Sequence, residues 1–237
     1  MTDVVCEWGL EGIELYRPNA AAFIIVDVLS FTTAVSVALD AGATIIPFPW
    51  GDADAAAAEA RRRGAVAAAP KRTTGGQLSL SPASLRRLSR DERVLLPSPN
   101  GSRLSLATGD VPTFCASLRN FEAVASAVRA TAGAGAVAVI PAGERWPDGS
   151  LRPALEDWLG AGAVINALSG HPNPEALAAR LMFEAAGANL SALVRESKSG
   201  RELLDRGFEI DVEIALELGA SRTAPRLVQG EYIDDLA

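Results

Sequence analysis

The sequence carries only two cysteines, Cys6 and Cys115, in 237 residues, and no Cys-x-x-Cys pair. Two thiols cannot staple a fold of this length or build a thiolate-rich zinc site, and their scarcity fits a reducing cytosol. One histidine, His171, rules out a His-rich metal centre, and its place between Gly170 and Pro172 reads as a solvated turn. Aromatic residues make up only 5%, which suits helices packed closely on a sheet better than an aromatic-rich β-sandwich. Basic residues number 22 against 29 acidic ones, and a net charge of −7 excludes a strongly basic nucleic-acid coat. No apolar run approaches the roughly 20 residues that a membrane-spanning helix needs, so no membrane partner is expected. The first twenty residues include Asp3, Glu7, Glu11 and Glu14 and no basic stretch leading into a long apolar one, so no signal peptide is expected either. There is no Gly-x-Ser-x-Gly elbow and no Gly-x-x-x-x-Gly-Lys loop, and Gly133-Ala-Gly135 lacks the third glycine of a dinucleotide fingerprint.

What is present is the composition of a globular chain, 49% hydrophobic and 22% charged. Ala21 to Asp27 is a continuous apolar run that ends on a charge, the pattern of a strand covered on both faces. Thr32 or Thr33 can cap a following helix through Leu39, Gly42 can stop it, and Ala43 to Phe48 reads as the next strand. The alternation continues with a helix from Asp52 to Arg63, a weak strand at Ala65 to Ala69 and a polar loop from Pro70 to Ser81. Strands are then predicted at Arg93 to Pro97, Val111 to Ala116 and Ala136 to Ile140, and helices at Asn120 to Ala130 and Pro153 to Leu168. Gly160 to Ala163 make the last of these thin enough for close backbone approach, which places it centrally. Helical patterns follow at Glu175 to Ala186 and Ser191 to Asp205, and an edge strand at Arg226 to Gln229. The expected architecture is one α/β domain over 1–237, three-layered α/β/α around a largely parallel or mixed sheet.

Carboxylates and small polar residues collect where strands end and helices begin, the place where open α/β sheets bind ligands. Asp27 directly follows an apolar strand, and a buried carboxylate requires a cation or several donors. Capping of the next helix, pairing with an arginine, and ligand or metal binding all meet that need, and the last is preferred. Thr32 and Thr33 are open to the same two roles, cap or anion ligand. Pro99-Asn-Gly-Ser-Arg103 has the composition of an anion cradle, or of a plain turn. Glu144 and Asp148 lie in a loop beyond a strand end, with Glu156 and Asp157 in the first turn of the next helix. Such an oxygen-rich set suits Mg²⁺, although adjacent helical residues point about 100° apart, so Glu156 and Asp157 cannot both face one ion comfortably. Cys115 reads as a buried thiol, and Arg61 to Arg63 and Lys71-Arg72 as solvated surface.

Several of these segments together resemble the 2-phosphosulfolactate phosphatase family. They are Val26-Asp-Val-Leu-Ser-Phe-Thr-Thr33, Pro97-Ser-Pro-Asn-Gly-Ser-Arg103, Ser117-Leu-Arg-Asn120, and Ala142-Gly-Glu144 with Leu155-Glu-Asp-Trp-Leu-Gly-Ala-Gly162. Ser197 to Leu204, with Gly207-Phe208 and Asp211, extends the resemblance to most of the chain. The pattern departs where Ser30-Phe31 replace the family's usual Arg-Ala and Ser102 its Thr, and Lys71 to Ser84 fit it poorly. The resemblance implies a cytoplasmic, Mg²⁺-dependent phosphatase acting on phosphate esters of 2-hydroxy acids, the named substrate being 2-phosphosulfolactate in coenzyme M synthesis. Asp27, Glu144 and Asp157 are then the expected metal ligands and catalytic carboxylates. Thr32, Thr33, Asn100, Gly101, Ser102 and Asn120 are expected to hold the phosphorylated substrate, and Arg103 or Arg145 its acidic group. The partner is a small phosphorylated organic acid, and a homodimer is compatible with these residues without being required by them. The competing readings are a phosphatase for another acidic phosphoester such as 2-phospholactate, and a non-catalytic binder of small phosphorylated acids.

Overall fold

The computed structural model describes residues 2–69, 71–72 and 76–236. Its first half comprises β1 (Asp3–Cys6), α1 (Gly9–Tyr16), β2 (Ala20–Val26), α2 (Phe31–Asp40), β3 (Thr44–Pro49), α3 (Ala53–Arg62), β4 (Val66–Ala67), α4 (Pro82–Leu85), β5 (Arg93–Ser98) and α5 (Gly101–Ala107). Then come β6 (Thr113–Ala116), α6 (Phe121–Thr131), β7 (Ala136–Pro141), β8 (Glu144–Arg145), β9 (Leu151–Arg152) and α7 (Leu155–Ala167). The last part holds β10 (His171–Pro172), α8 (Pro174–Ala186), α9 (Leu190–Glu196), α10 (Lys198–Asp205), α11 (Glu209–Ala215), β11 (Pro225–Val228) and β12 (Glu231–Asp234).

Alternation along β2 explains the layering. Ile24 and Val26 pack into the core that holds Val124 of α6 and Leu159 of α7, while Phe23 and Ile25 face Ile13 of α1 and Leu104 of α5. Buried on both faces, the strand has no polar side and so reads as an unbroken apolar run. The same division recurs in β3, where Ile45 meets α2 and α4 and Ile46 meets Ala56 and Ala60 of α3. One sheet, ordered β10-β1-β7-β2-β6-β11-β12-β3-β5-β4, runs between the helical layers. It is parallel on either side of the antiparallel β11–β12 hairpin, giving the mixed, mostly parallel α/β architecture expected.

That hairpin corrects the expectation of an edge strand at Arg226 to Gln229. Arg226 pairs with Phe114 of β6 and Tyr232 with Ile45 of β3, so the polar-looking tail lies mid-sheet. Tyr232 is fully buried and donates its hydroxyl to Ser105 Oγ at 2.7 Å, an anchor that the surrounding polar residues conceal in the sequence. Residues 3–16 form β1 and α1. The helix expected over 191–205 breaks at Ser197, whose hydroxyl accepts the Gly200 N–H and starts α10. The helix expected from Pro153 starts two residues later, after Ala154. Its close packing is as expected: a Cβ on Gly162 would lie 2.2 Å from the Ala179 carbonyl oxygen of α8, and one on Gly160 2.7 Å from Val28. The run Pro174–Glu196 is long and apolar enough to cross a membrane, yet it bends at Gly187 and turns Ala176, Ala179, Leu190 and Val194 into the core.

Candidate active site

The chain leaves β2 at Asp27 and re-enters helix at Phe31, so the Asp27 carboxylate is only 6% exposed at the start of α2. Its Oδ1 accepts the Phe31 N–H at 3.2 Å and its Oδ2 accepts the Gly101 N–H at 2.8 Å. Gly101 is required there, because a Cβ would stand 2.2 Å from Cδ1 of Phe31. The neighbouring residue, Asn100, donates Nδ2–H to Glu144 Oε2 at 2.9 Å. The Asn100-Gly101 turn after β5 thus bonds two acidic residues that enter from β2 and from β7–β8.

Glu156 and Asp157, at the start of α7, complete a set of four carboxylates. Asp157 accepts the Val28 N–H at 2.7 Å and the Gly143 N–H at 2.9 Å, tying the loop after β2 to the loop after β7. Glu156 is 2% exposed and its Oε2 has no hydrogen-bond partner among the described residues. Burial is the main influence on the others. It pushes the Asp27 carboxyl up to about 6, against the opposing pull of the Phe31 and Gly101 amides and Arg72. Burial and the nearby Asp27 charge carry Glu144 to about 7, and burial with the Asp27 and Glu156 charges raises Asp157 well above the usual carboxylate range. Mutual repulsion among buried acids of this kind is relieved by protons or by a cation.

Glu144 also lines a cavity of about 440 Å³ whose other charged walls are Arg72, Arg145, Arg152, Lys198 and Arg206, with Glu202 at its rim. Arg72 does not lie on solvated surface as the sequence suggested. Its side chain is 11% exposed, donates to Ser30 Oγ and has Nε 3.4 Å from Asp211 Oδ2. Asp211 in turn accepts from Ser81 Oγ at 2.6 Å, fastening this part of the chain onto α11. Arg72 therefore brings a guanidinium within electrostatic reach of Asp27 and Glu144. Part of the loop expected over 70–81, at 70 and 73–75, lies outside the described residues.

The structure gathers Asp27, Asn100, Gly101, Glu144, Arg145 and Asp157 in or beside this site, and either engages the polar groups of the other expected residues with backbone or places them away from the cavity. Thr32 donates to the Asp27 carbonyl at 2.8 Å and Thr33 to the Val28 carbonyl at 2.7 Å, within the first turn of α2 and with no capping role. Ser102 donates to the Leu96 carbonyl at 3.0 Å, and Arg103 is exposed on α5 away from the cavity. Asn120 is buried in the β6–α6 turn, accepting from Ser117 and donating to the Cys115 and Thr223 carbonyls. Asp148 sits in the exposed β8–β9 turn, where it bonds Ser150. Sequence reasoning missed Arg72, Arg152, Lys198 and Arg206 as site residues. Only the Ser197 to Leu204 motif marked Lys198's neighbourhood, and Arg152 had no local signal at all.

A family model described as 2-phosphosulpholactate phosphatase matches residues 11–230. A probable 2-phosphosulfolactate phosphatase of Synechococcus sp. (strain JA-3-3Ab) is 31% identical over 223 residues, covering 88% of this chain and 89% of the relative. The 2-phosphosulfolactate phosphatase of Methanothermobacter thermautotrophicus is 30% identical over 213 residues, covering 88% of each chain. A probable 2-phosphosulfolactate phosphatase of Thermotoga petrophila is 26% identical over 216 residues. With buried acids and a cationic cavity at the strand ends and a match over nearly the whole chain, the protein belongs to the 2-phosphosulfolactate phosphatase family.

Proposed function

We propose that this chain is a Mg²⁺-assisted phosphatase for the phosphate ester of a 2-hydroxy acid, with 2-phosphosulfolactate as its substrate and 3-sulfolactate and phosphate as products. The observation that carries this is the juxtaposition of Glu144, held near 7 among buried acids, with a cavity walled by five cationic side chains. A phosphoester needs both, cations to bind its charge and a group near neutrality to move a proton.

Among the described residues, no group of three or more His, Cys, Asp or Glu side chains is arranged as a ready-made metal cage. Mg²⁺ rarely uses one, since it keeps several waters and takes one or two carboxylates together with substrate phosphate. The donors here fit that habit, being all oxygen, mutually repelling, and including Glu156 Oε2, which has no hydrogen-bond partner among the described residues. Asp27 and Glu156 would hold the ion, Asp27 through the lone pairs left after its two amide bonds. Bound there, Mg²⁺ would offset charge on the phosphoryl oxygens.

This assignment revises the expected ligand set of Asp27, Glu144 and Asp157. Asp157 becomes a positioning residue that fixes two loops, and Glu144 becomes the proton carrier. Its Oε2 is engaged by Asn100, which leaves Oε1 to take a proton from the attacking water. Water is preferred to Asp27 as nucleophile because the lone pairs left on Asp27 after its two amide bonds would be taken up by the ion. Arg72, held by Ser30 and Asp211, would orient the phosphoryl group.

The test is phosphate release from 2-phosphosulfolactate and 2-phospholactate, with Mg²⁺ and with chelator. Mg²⁺-stimulated release, abolished in Asp27→Asn and slowed about 10²- to 10⁴-fold in Glu144→Gln, is expected. Release that is indifferent to chelator removes the ion, and no release from either ester overturns the proposal.

A further inference from the structure

The Asn100-Gly101 turn is bonded to the acids on one side and to the middle of the sheet on the other. Ser105, one turn further along α5, donates its hydroxyl to the Gly101 carbonyl at 2.6 Å. A bond to the fourth preceding residue is ordinary for a helical serine. What distinguishes this one is the Tyr232 hydroxyl, which donates to Ser105 Oγ at 2.7 Å. Ser105 has a single proton to give and gives it to Gly101, so the chain runs one way, from Tyr232 through Ser105 to the carbonyl, and each bond polarises the next. Both side chains are buried, so solvent does not compete for them. The N–H of the same glycine meets Asp27 Oδ2 at 2.8 Å.

Phe31 supplies the other amide on Asp27, and its ring is also tied to Tyr232. The two rings meet edge to face with centroids 6.1 Å apart, and the Phe31 ring lies so close to Gly101 that no Cβ fits between them. Both donors that orient Asp27 therefore lead back to one side chain in β12. The turn needs this support. With seven residues α5 is too short to be stable alone, and among the described residues Asn100 makes no side-chain cap to it, its amide being turned to Glu144. Resting on the phosphatase reading above, we propose that Tyr232 is a positioning residue for the reaction, acting through Ser105 and Phe31 on the two amides that fix the Asp27 carboxylate.

Tyr232→Phe removes the hydroxyl and keeps the ring, and Ser105→Ala removes the middle of the chain. Each variant is expected to lower kcat on 2-phosphosulfolactate about 10-fold with KM within about 2-fold, the effect of one lost buried hydrogen bond, and the double variant to lose no more than either alone. Amide hydrogen exchange followed by NMR, with chelator present, reads the same link without turnover. The Gly101 amide is expected to exchange about 10-fold faster in both variants, while the amides of β2 stay within about 2-fold of the unaltered protein. A purely structural Tyr232 would instead speed exchange throughout the sheet. That result, an unchanged Gly101 amide, or normal kcat beside a loosened Gly101 amide overturns the proposal. Faster Gly101 exchange in a protein that releases no phosphate from 2-phosphosulfolactate would retire the phosphatase reading and leave the hold of Tyr232 on the turn standing.

Discussion

Replacing Glu144 by glutamine converts an electrostatic burden into a measurable dependence of stability on pH. Burial and Asp27 carry this carboxyl from 4.5 to about 7 in the folded protein. Between those values the folded protein retains a proton that the unfolded chain has released. Stability therefore falls as pH rises through the window and is level above it. At about 1.4 kcal/mol per pH unit, reduced because the side chain partly meets water, the loss is about 2 to 3 kcal/mol. An amide does not titrate, so Glu144→Gln escapes this loss. In a chain of this size about 2 to 4 °C accompanies each kcal/mol, so the Tm of the variant minus that of the unaltered protein should rise by about 4 to 12 °C from about pH 4.5 to about pH 7.5. Thermal melts followed by circular dichroism, with chelator present, read the difference directly. A difference that stays flat or falls with pH would refute the idea that Glu144 is held protonated by its surroundings.

The remaining predictions concern the same cluster. Mg²⁺ competes with protons for its carboxylates, so it should raise Tm more at about pH 8 than at about pH 5.5, and equal shifts would count against an ion among them. Asp157→Asn leaves one of the Val28 and Gly143 amides facing an NH₂ group, which should cost about 1 to 3 kcal/mol in denaturant unfolding and lower kcat as the two loops separate. Gly101→Ala places a methyl group 2.2 Å from the Phe31 ring, so α5 must shift. A lower Tm together with loss of phosphate release is expected, and normal activity would show that the Gly101 amide on Asp27 is dispensable.

The layered α/β fold was legible because β2, β3 and β7 are buried on both faces and advertise themselves as apolar runs between helical periods. Short elements that depend on one anchor were not, as Tyr232 in the β11–β12 hairpin shows, since a single buried ring has no period. The acidic half of the site was readable for a local reason: Asp27, Glu144 and Asp157 sit at strand and helix ends, where a carboxylate has few structural reasons to be. The cationic half arrives from three distant segments, at Arg72, Arg152 and Lys198, and nothing near any one of them reveals the other two. Thr32 and Ser102 mark the opposite failure. A hydroxyl at a helix start has the same spacing whether it faces a ligand or a backbone carbonyl, and only the folded chain separates the two.

The placement of β11 and β12 has a consequence for biosynthesis. They are the mortar between two blocks of parallel strands, and they come after every strand that they join in chain order. Until residue 234 has emerged from the ribosome, β6 and β3 each present a bare edge, a template for pairing with another nascent chain. Each block can collapse early around its own helices, but they cannot be joined into one sheet before translation reaches that point.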